Sequence, residues 1–302
     1  MNIIGADIGN HSTKLDNGVT FESTVKNGHI RINKDDIQII YNGKEYTIGA
    51  KDGSRNIGIN KYKKDHYKLL ILTAIAKSCN ANKKNIITNL VVGVPISIFN
   101  NKDMIEEIEK IIKGWKKEVI TINGVEKTID IQKVKVFCES AVVFSNRNKY
   151  ADKKVLVIDI GGSTIDVSVW DNFRLTIQKS YKNGTISLCE NVAGIISDNE
   201  KVIFKAENVP YVLDNKVVKL NQKNINIEYV NEVIQNYIDD LSSKIYQSFD
   251  PEEMDEIIIC GGGSQLLKSE LSLEFPTAKI EKDSPFANAK TYKKIGDTIW
   301  QQ

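Results

Sequence analysis

The sequence predicts an α/β protein made of two related domains that flank a cleft, each carrying a small inserted subdomain. The strongest observation is an internal repeat, in which IIGADIGNHSTK at residues 3–14 is echoed by VLVIDIGGSTID at residues 155–166. A repeat half a chain apart indicates duplication of one domain. The length of 302 residues, of which 41% are hydrophobic, is enough for two domains that each bury a core.

Each copy of the repeat begins with an apolar strand and ends it in Asp-Ile-Gly. More strand-like sequence follows, at 14–25 and 165–179, where apolar and polar residues partly alternate. The glycines are therefore predicted at the tips of β-hairpins. In a Walker P-loop or a Rossmann turn the glycines open a helix instead, and neither of those motifs occurs in the sequence.

Periodicity and composition place the other elements. Apolar residues recur at helical spacing over 67–75, 105–115 and 230–245, which predicts three amphipathic helices. The stretch 185–226 is irregular and polar in places, and we interpret it as part of an inserted subdomain. The predicted first domain is 1–152 plus 284–302 with an insertion at about 29–61, since the C-terminal segment is expected to pack back on the first half. The second domain is 153–283, with an insertion at about 183–227.

Charge and cysteine usage exclude several classes of protein. Forty-one basic and 39 acidic side chains leave a formal charge of +2, so no global field favours nucleic acid or an acidic substrate. The run of Lys61, Lys63 and Lys64 is interpreted as a solvated face. No stretch is apolar enough to span a bilayer, and the cytoplasm is the expected location. The four cysteines lie far apart without a C-x-x-C pair, which favours reduced core thiols over disulfides or a zinc site.

The two hairpin tips carry residues suited to binding phosphate. A phosphate group needs backbone N–H groups aimed at its oxygens, and glycine lets the backbone approach closely. A lone Asp-x-Gly is typical of an ordinary turn, but two copies, each following a buried strand, favour a nucleotide site. The candidate binding residues are Gly9, Asn10 and Lys14 in the first copy and Gly161, Gly162, Ser163 and Thr164 in the second.

The aspartates before the two tips are candidate magnesium residues. Magnesium usually keeps several waters and uses only one or two carboxylates, so Asp7 and Asp159 would hold the ion through water. Lys14 could contact a β- or γ-phosphate as a point charge. These residues together predict MgATP, with GTP as an open alternative.

Two further segments complete the candidate site. Gly261, Gly262 and Gly263 follow the strand IIIC and would let the backbone lie flat against adenosine, with Ser264 as the N-cap of the next helix. The alternative is a flexible turn. Glu139 follows a predicted strand, begins a helix-like run and could orient or deprotonate a water. It could instead simply occupy the favourable first turn of a helix.

Taken together, these motifs resemble those of the actin, sugar-kinase and heat-shock-chaperone ATPase superfamily. Residues 7–14 resemble its first phosphate motif, 137–144 its first connecting helix and 159–166 its second phosphate motif. Residues 257–264 resemble the adenosine motif, and 287–289 the second connecting motif, which a terminal helix follows. All five occur in the family's order. His11 departs from the pattern, because a small residue is commoner there.

The resemblance implies an actin-like fold and an ATPase in which Glu139 polarises the attacking water, with Asp7 and Asp159 also catalytic. Among members of the superfamily, the chain resembles the plasmid-segregation actins of the ParM group. The reasons are its size, its scattered cysteines and its short C-terminal segment. That group implies a cytoplasmic cytoskeletal filament whose subunits join head to tail. It also implies a DNA-binding adaptor that links the filament to plasmid DNA, with no direct contact to nucleic acid or membrane.

Two other functions remain compatible with the same motifs. A small-molecule kinase of the sugar-kinase type would use the same cleft, with Asp166 or Glu139 as base to a substrate hydroxyl, although no sugar-site signature is found. A nucleotide-dependent scaffold that does not hydrolyse ATP is the third possibility, and the presence of Glu139 argues against it.

Overall fold

A computed structural model describes residues 2–29, 36–56, 58–215, 217–220 and 223–300. The chain divides into two compact units, the first formed by residues 1–147 and 286–302 and the second by residues 148–285. Parts of the predicted insertions at 29–61 and 183–227 lie outside the described residues. The short helix α4, Arg147–Tyr150, lies where the chain passes from one unit to the next.

The first unit is built on a sheet that has nine strands within the described residues. Its strands are β1 Asn2–Ile8, β2 Ser12–Leu15, β3 Thr20–Glu22, β4 Val25–Asn27, β5 Ile37–Tyr41, β6 Lys44–Ile48, β7 Asn85–Val94, β8 Glu118–Ile122 and β9 Val125–Cys138. Its helices are α1 Asp65–Ser78, α2 Ile96–Phe99, α3 Lys102–Lys113 and α10 Ala287–Trp300. The first two predicted helices correspond to α1 and α3, and each buries an apolar face in the core of this unit.

The second unit contains a five-stranded sheet and a separate hairpin in the part of the chain that is described. Its strands are β10 Lys154–Ile160, β11 Thr164–Asp171, β12 Arg174–Lys182, β13 Val217–Leu220, β14 Lys223–Asn226, β15 Glu256–Cys260 and β16 Lys279–Ile280. Its helices are α5 Thr185–Glu200, α6 Val209–Asn215, α7 Asn231–Ser248, α8 Gly263–Leu266 and α9 Lys268–Glu274. The third predicted helix corresponds to α7.

The interpretation of 185–226 as irregular is wrong. The segment begins with the 16-residue helix α5 and continues through α6 and the β13–β14 hairpin. Leu188, Val192 and Ile196, spaced four residues apart, are fully buried in the core of the second unit. Intrinsic helix propensity here is weakened by Gly194 and by several Ser and Asn residues, so packing of the apolar face decides the structure.

The internal repeat corresponds to the same strand arrangement in both units. The order β3-β2-β1-β7-β9 in the first is matched by β12-β11-β10-β15-β16 in the second. In each, the strand that ends in Asp-Ile-Gly pairs antiparallel with the next strand and parallel with a later one. Asp7 lies opposite Lys14 in the first unit, and Asp159 lies opposite Asp166 at the equivalent place in the second. The equivalent hairpins support the duplication that the sequence predicts.

The C-terminal helix α10 packs on β1 and β7 of the first unit, as the sequence predicts. Glycines in the sheet allow this close approach, because a Cβ atom on Gly5 would lie 2.0 Å from the carbonyl oxygen of Ala289. A Cβ atom on Gly93 would lie 2.3 Å from the Tyr292 hydroxyl oxygen. The backbone of the helix therefore rests directly on the sheet, and any side chain at Gly5 would force the two apart.

Gly5→Ala is expected to destabilise the protein by about 1–3 kcal/mol or more, since the new methyl group overlaps backbone that cannot move independently. Gly194→Ala is the matched control. Gly194 lies inside α5 with nothing within 4 Å of its Cβ position, so alanine should stabilise the helix by up to about 1 kcal/mol. Chemical denaturation of both variants measures the difference, and equal stabilities would contradict the close packing of α10.

Within the part of the chain that the structure describes, no helix is both long and apolar enough to cross a bilayer. All four cysteines are free thiols, with Cys138, Cys189 and Cys260 buried and Cys79 partly buried. Three of the four thiols therefore lie in the core, where the sequence analysis expects them.

Candidate functional site

The first candidate loop is the tip of the β1–β2 hairpin. The Gly9 N–H donates to the Ser12 carbonyl oxygen at 3.1 Å and closes the turn. A Cβ atom on Gly9 would lie 3.0 Å from the same oxygen, so glycine fits this tight turn best. Among the described residues, the backbone N–H groups of Asn10 and His11 make no hydrogen bond. The tip therefore offers backbone donors of the kind that a phosphate binds.

Asp7 is the last charged residue of β1 before this tip and is only 9% exposed. Burial raises the pKa of its carboxyl group, and the positive charges of Lys14 and Lys61 oppose that rise. Lys14 lies directly across the hairpin from Asp7. The structure therefore places the predicted metal carboxylate and the predicted phosphate-binding lysine side by side.

Lys61 belongs to this site, although the sequence analysis placed it on a solvated face. It lies on a 3₁₀ turn, Ile59–Lys63, and is 8% exposed. Its ammonium group donates to the Ile8 carbonyl oxygen and to Asn10 Oδ1, both at 3.1 Å. Local sequence does not distinguish Lys61 from the neighbouring lysines. Only the fold does so, since Lys63 pairs with Glu107 and Lys64 with Asn56 near the surface.

Glu139 follows β9 directly, with its backbone fixed on both sides. Its N–H donates to the Val94 carbonyl oxygen at 2.8 Å, and the next N–H, that of Ser140, donates to Asn288 Oδ1 at 3.2 Å. Burial lowers the pKa of Lys61, and the negative charge of Glu139 partly opposes that lowering. Glu139, Asp7 and Lys61 therefore lie close enough to interact electrostatically within the first unit.

The predicted connecting helix at 137–144 is not a helix, and this interpretation is wrong. The strand β9 runs to Cys138, and Ser140 has a positive φ of 61°. A four-residue 3₁₀ turn, Val142–Ser145, takes the place of the helix. Asn288 accepts the Ser140 N–H and so ties this segment to α10, a long-range contact that local sequence could not reveal. Glu139 thus occupies a strand end rather than the first turn of a helix.

The second candidate loop is the tip of the β10–β11 hairpin, and its turn matches the first. The Gly161 N–H donates to the Thr164 carbonyl oxygen at 2.9 Å, and a Cβ on Gly161 would lie 2.9 Å from that oxygen. Within the described part of the chain, the backbone N–H groups of Gly162 and Ser163 make no hydrogen bond. Both repeats therefore present unbonded N–H groups at the same two positions after the first glycine.

The start of α5 supports this second tip. The N–H groups of Gly184, Thr185 and Ile186 donate to the carbonyl oxygens of Ser163, Gly161 and Gly162, at 3.2, 3.0 and 2.9 Å. These bonds engage the carbonyl oxygens of the tip, while its unbonded N–H groups remain available to a ligand. A Cβ on Gly184 would lie 2.5 Å from two of the carbonyl oxygens, so glycine is needed for this contact.

Thr164 and Asp166 interact with each other. The Thr164 hydroxyl donates to Asp166 Oδ2 at 3.0 Å, and Asp166 is 5% exposed. Burial raises the pKa of Asp166, while hydrogen bonds from Ser180 and Thr164 lower it. The proton of the Thr164 hydroxyl is thus engaged within the protein, which leaves the backbone of the tip as its main ligand-binding feature.

The glycine triplet lies at the carboxyl end of β15, and its three members differ. Gly261 has a φ of +85°, and a Cβ there would lie 2.3 Å from Asp159 Oδ1. A Cβ on Gly263 would lie 2.5 Å from the Ile160 side chain. Gly262 is exposed and has nothing within 4 Å of its Cβ position. Packing therefore requires glycine at Gly261, against Asp159, and at Gly263, against Ile160, whereas Gly262 faces open space.

Ser264 does not cap the helix that follows the triplet, so that interpretation is wrong. Gly262 is the N-cap of α8, while Ser264 lies inside the helix and donates its hydroxyl to the Gly261 carbonyl oxygen at 2.9 Å. The Ser264 side chain is fully buried and so stabilises the turn from within.

Each predicted metal carboxylate, taken within its own unit, fits a magnesium ion that keeps most of its waters. Within the described ranges, no group of three or more His, Cys, Asp and Glu side chains is placed to hold one ion. Each unit instead offers one buried aspartate directly before its glycine tip. Asp7 in the first unit is 9% exposed, and Asp159 in the second is 7% exposed. Magnesium usually binds proteins through one or two carboxylates and keeps its remaining waters, so this donor set suits Mg²⁺ better than zinc.

The equivalent hairpins and strand orders define a protein in which one fold is duplicated in two units, and both halves of the chain match known protein families. Residues 5–141 match the family model of the actin-like protein N-terminal domain. Residues 157–273 match the model of the archaeal MreB-like actin homologue, C-terminal. Both halves of the chain therefore match models of actin-like proteins, as its motifs predicted. Among curated proteins, none matches it significantly in sequence.

Solved structures similar to this chain share its fold from end to end. The archaeal actin homologue Ta0583 has a TM-score of 0.80 at 18% identity, covering 99% of this chain and 100% of the other. The apo pSK41 ParM protein has a TM-score of 0.76 at 19% identity, covering 99% and 98%. The Alp12 filament structure has a TM-score of 0.74 at 25% identity, covering 98% of each chain. The fold is thus actin-like over nearly the whole chain.

Proposed function

We propose that this protein binds MgATP, hydrolyses it with Glu139 orienting the attacking water, and uses the cycle to control a head-to-tail filament. Gly9, Asn10 and Lys14 from the first hairpin and Gly161, Gly162 and Ser163 from the second would bind the phosphates. Gly262 would lie against the nucleoside. A cytoplasmic filament of this kind would move plasmid DNA through a DNA-binding adaptor protein. GTP remains an alternative nucleotide.

The observation that carries the proposal is the equivalence of the two hairpin tips. Each has a buried aspartate, a glycine that closes the turn, and two N–H groups without a partner among the described residues. A turn by itself requires neither a buried carboxylate, whose burial is costly, nor the same arrangement in both units. A Ta0583 structure with a TM-score of 0.79 and 18% identity is an ADP complex, which supports nucleotide as the ligand.

Filament formation rests on the kinds of protein that share the fold. Similar structures include the Alp12 filament and a 15-stranded ParM filament from Clostridium botulinum. A heterologous, non-closing contact between identical subunits is what generates such polymers. We infer that nucleotide binding promotes the contact and that hydrolysis weakens it.

Asp7 and Asp159 would hold magnesium through its waters, and the ion would neutralise charge on the phosphates. The protein's own contribution is to fix the two carboxylates and the N–H donors in advance. Lys14, across the hairpin from Asp7, would add a positive charge at a phosphate. Glu139, fixed by the backbone bonds on both sides, would orient a water.

The kinase alternative is disfavoured by the state of Asp166. A base for a substrate hydroxyl must be reachable by that hydroxyl. Asp166 is buried and already accepts the Thr164 hydroxyl at 3.0 Å. This leaves only Glu139 of the two bases that the kinase reading offered.

Phosphate release and light scattering, measured together, test the proposal. With MgATP the wild-type protein should scatter light above a critical concentration and release phosphate without any added acceptor molecule. Phosphate transfer that requires a small-molecule hydroxyl would instead favour the kinase. Assembly without phosphate release would favour the non-hydrolysing scaffold. Parallel samples with GTP and with non-hydrolysable analogues identify the preferred nucleotide.

Replacing Gly262 is expected to weaken nucleotide binding without weakening the fold. The Cβ position is open and Gly262 has ordinary helical φ and ψ of −62° and −33°, so Gly262→Val should fold normally. A side chain there would obstruct close approach of a nucleoside, and we expect a loss of about tenfold in affinity, or about 1.4 kcal/mol. Calorimetric titration of Ala, Val and Phe variants should show a graded loss at a constant melting temperature. Unchanged affinity across the series would indicate that the triplet is an ordinary turn and does not contact the nucleotide.

A further inference from the structure

The 3₁₀ turn Ile59–Lys63 places a buried lysine behind the first hairpin tip. Lys61 is 8% exposed, whereas Lys63 and Lys64, two and three residues further on, are exposed. A buried ammonium group is costly unless it is paired and hydrogen-bonded. Its presence in the core of the site therefore requires partners that compensate the charge.

The hydrogen bonds of Lys61 act on the tip itself. The ammonium group donates to the carbonyl oxygen of Ile8, the residue between Asp7 and Gly9, and to Asn10 Oδ1. A lysine has no acceptor, so the amide atom facing it must be the oxygen. The orientation of the Asn10 amide is thereby fixed, and its NH₂ group makes no hydrogen bond among the residues described. An anionic ligand needs donors of this kind.

The charge of Lys61 acts on two carboxylates. Burial lowers the pKa of Lys61, and the negative charges of Glu139 and Asp7 raise it. Burial raises the pKa of Asp7, and Lys61 is one of two lysines that oppose this rise. The hydroxyls of Tyr62 and Tyr67 are also buried without hydrogen-bond partners in the described structure. Lys61 therefore supplies a positive charge that compensates two nearby acidic groups, Asp7 and Glu139.

We propose that Lys61 is a positioning residue of the nucleotide site, holding the Ile8 carbonyl and the Asn10 amide in place and balancing the negative charges of Asp7 and Glu139. This role rests on the proposed function. Lys61 acts through the hairpin tip and Glu139, and it does not itself contact the reacting atoms. A purely structural lysine would instead only anchor the turn to the strand.

Steady-state ATPase kinetics of Lys61→Met, Lys61→Arg and Lys63→Met distinguish these roles. Lys61→Met keeps much of the side-chain length but loses the charge, and kcat at saturating MgATP should fall about 10- to 100-fold, as is typical when the group behind a functional residue is removed. Lys61→Arg keeps the charge and should recover part of kcat. Lys63→Met is the matched control on the same turn, where an exposed pair with Glu107 is lost, and its kcat and KM should equal those of wild type.

Thermal melting of each variant separates positioning from folding. A lowered melting temperature with wild-type kcat in Lys61→Met would overturn the proposal in favour of an anchoring role. Should Lys61→Met not fold, Lys61→Gln retains a donor without the charge and is judged by the same criteria. Failure of both to fold would make the lysine structural and also overturn the proposal. A wild-type protein that neither binds nor hydrolyses nucleotide would overturn the proposed function itself, and with it any role of Lys61 in that reaction.

Discussion

Glu139→Ala is expected to bind MgATP and to assemble, yet to release phosphate on the order of a hundredfold or more slowly than wild type. The substitution removes the carboxylate proposed to orient water. It leaves in place both hairpin tips, Lys14 and both aspartates. Because assembly is proposed to depend on bound nucleotide rather than on hydrolysis, filaments should form and then persist. Light scattering and phosphate release, followed in the same sample, measure the two effects.

A glutamine variant sharpens this test by separating two roles of the carboxylate. Glu139→Gln can still orient a water by hydrogen bonding but is a poor proton acceptor. Activity well above that of Glu139→Ala would indicate orientation, whereas equal loss in both would indicate proton transfer. Glu126→Ala is the matched control, since Glu126 is exposed on the same strand, β9. Wild-type turnover in Glu139→Ala would exclude Glu139 from catalysis.

Asp7→Ala and Asp159→Ala are each expected to abolish magnesium-dependent hydrolysis, with a loss of at least about a hundredfold, comparable to deleting a group that stabilises transition-state charge. Each change removes the only carboxylate proposed to hold the metal's waters from that unit. The Asp→Asn variants preserve side-chain shape and should show the same loss. Phosphate release measured over a range of Mg²⁺ concentrations is the assay.

Stability must be followed alongside activity in these variants. Removing Asp7 takes away one of the charges that compensates buried Lys61, and breaking such an arrangement can cost several kcal/mol. Asp171→Asn is a control, because Asp171 is an exposed residue at the far end of β11 from the tip. Folded Asp7 and Asp159 variants with wild-type turnover would remove both residues from the metal site. They would also remove the main support for the nucleotide assignment.

The two hairpins were predictable because their signals are local. An apolar strand followed by Asp-Ile-Gly and further strand sequence is readable from the chain alone, and the structure has the predicted hairpin at both places. The repeat also identified which residues in the two halves are equivalent. The assignment of Gly9 and Gly161 to tight turns follows from the same pattern. Their roles in binding nucleotide, like that of Glu139, stay predictions.

The errors have a common physical origin in long-range packing. Residues 137–144 carry apolar residues at helical spacing, but a hydrogen bond to Asn288 and the positive φ of Ser140 end that segment as a short 3₁₀ turn. Residues 185–200 look weak as a helix, yet burial of one apolar face makes them α5. In both cases the deciding partner lies more than 40 residues away or is the core as a whole, where intrinsic propensity is easily overridden.

By itself, the sequence determined the class of fold, the duplication, the two glycine tips and their aspartates, since each depends on residue type and short spacing. The tertiary structure decided which charges join the site. Lys61 and Lys63 are indistinguishable in a run of lysines, but only Lys61 is buried against the Ile8 carbonyl and Asn10. Likewise, local sequence does not distinguish Gly261 from Gly262. Asp159 and the Ile160 backbone lie so close to Gly261 that packing requires glycine there, whereas Gly262 faces open space. Burial and contact depend on the whole fold, and for that reason no local pattern encodes them.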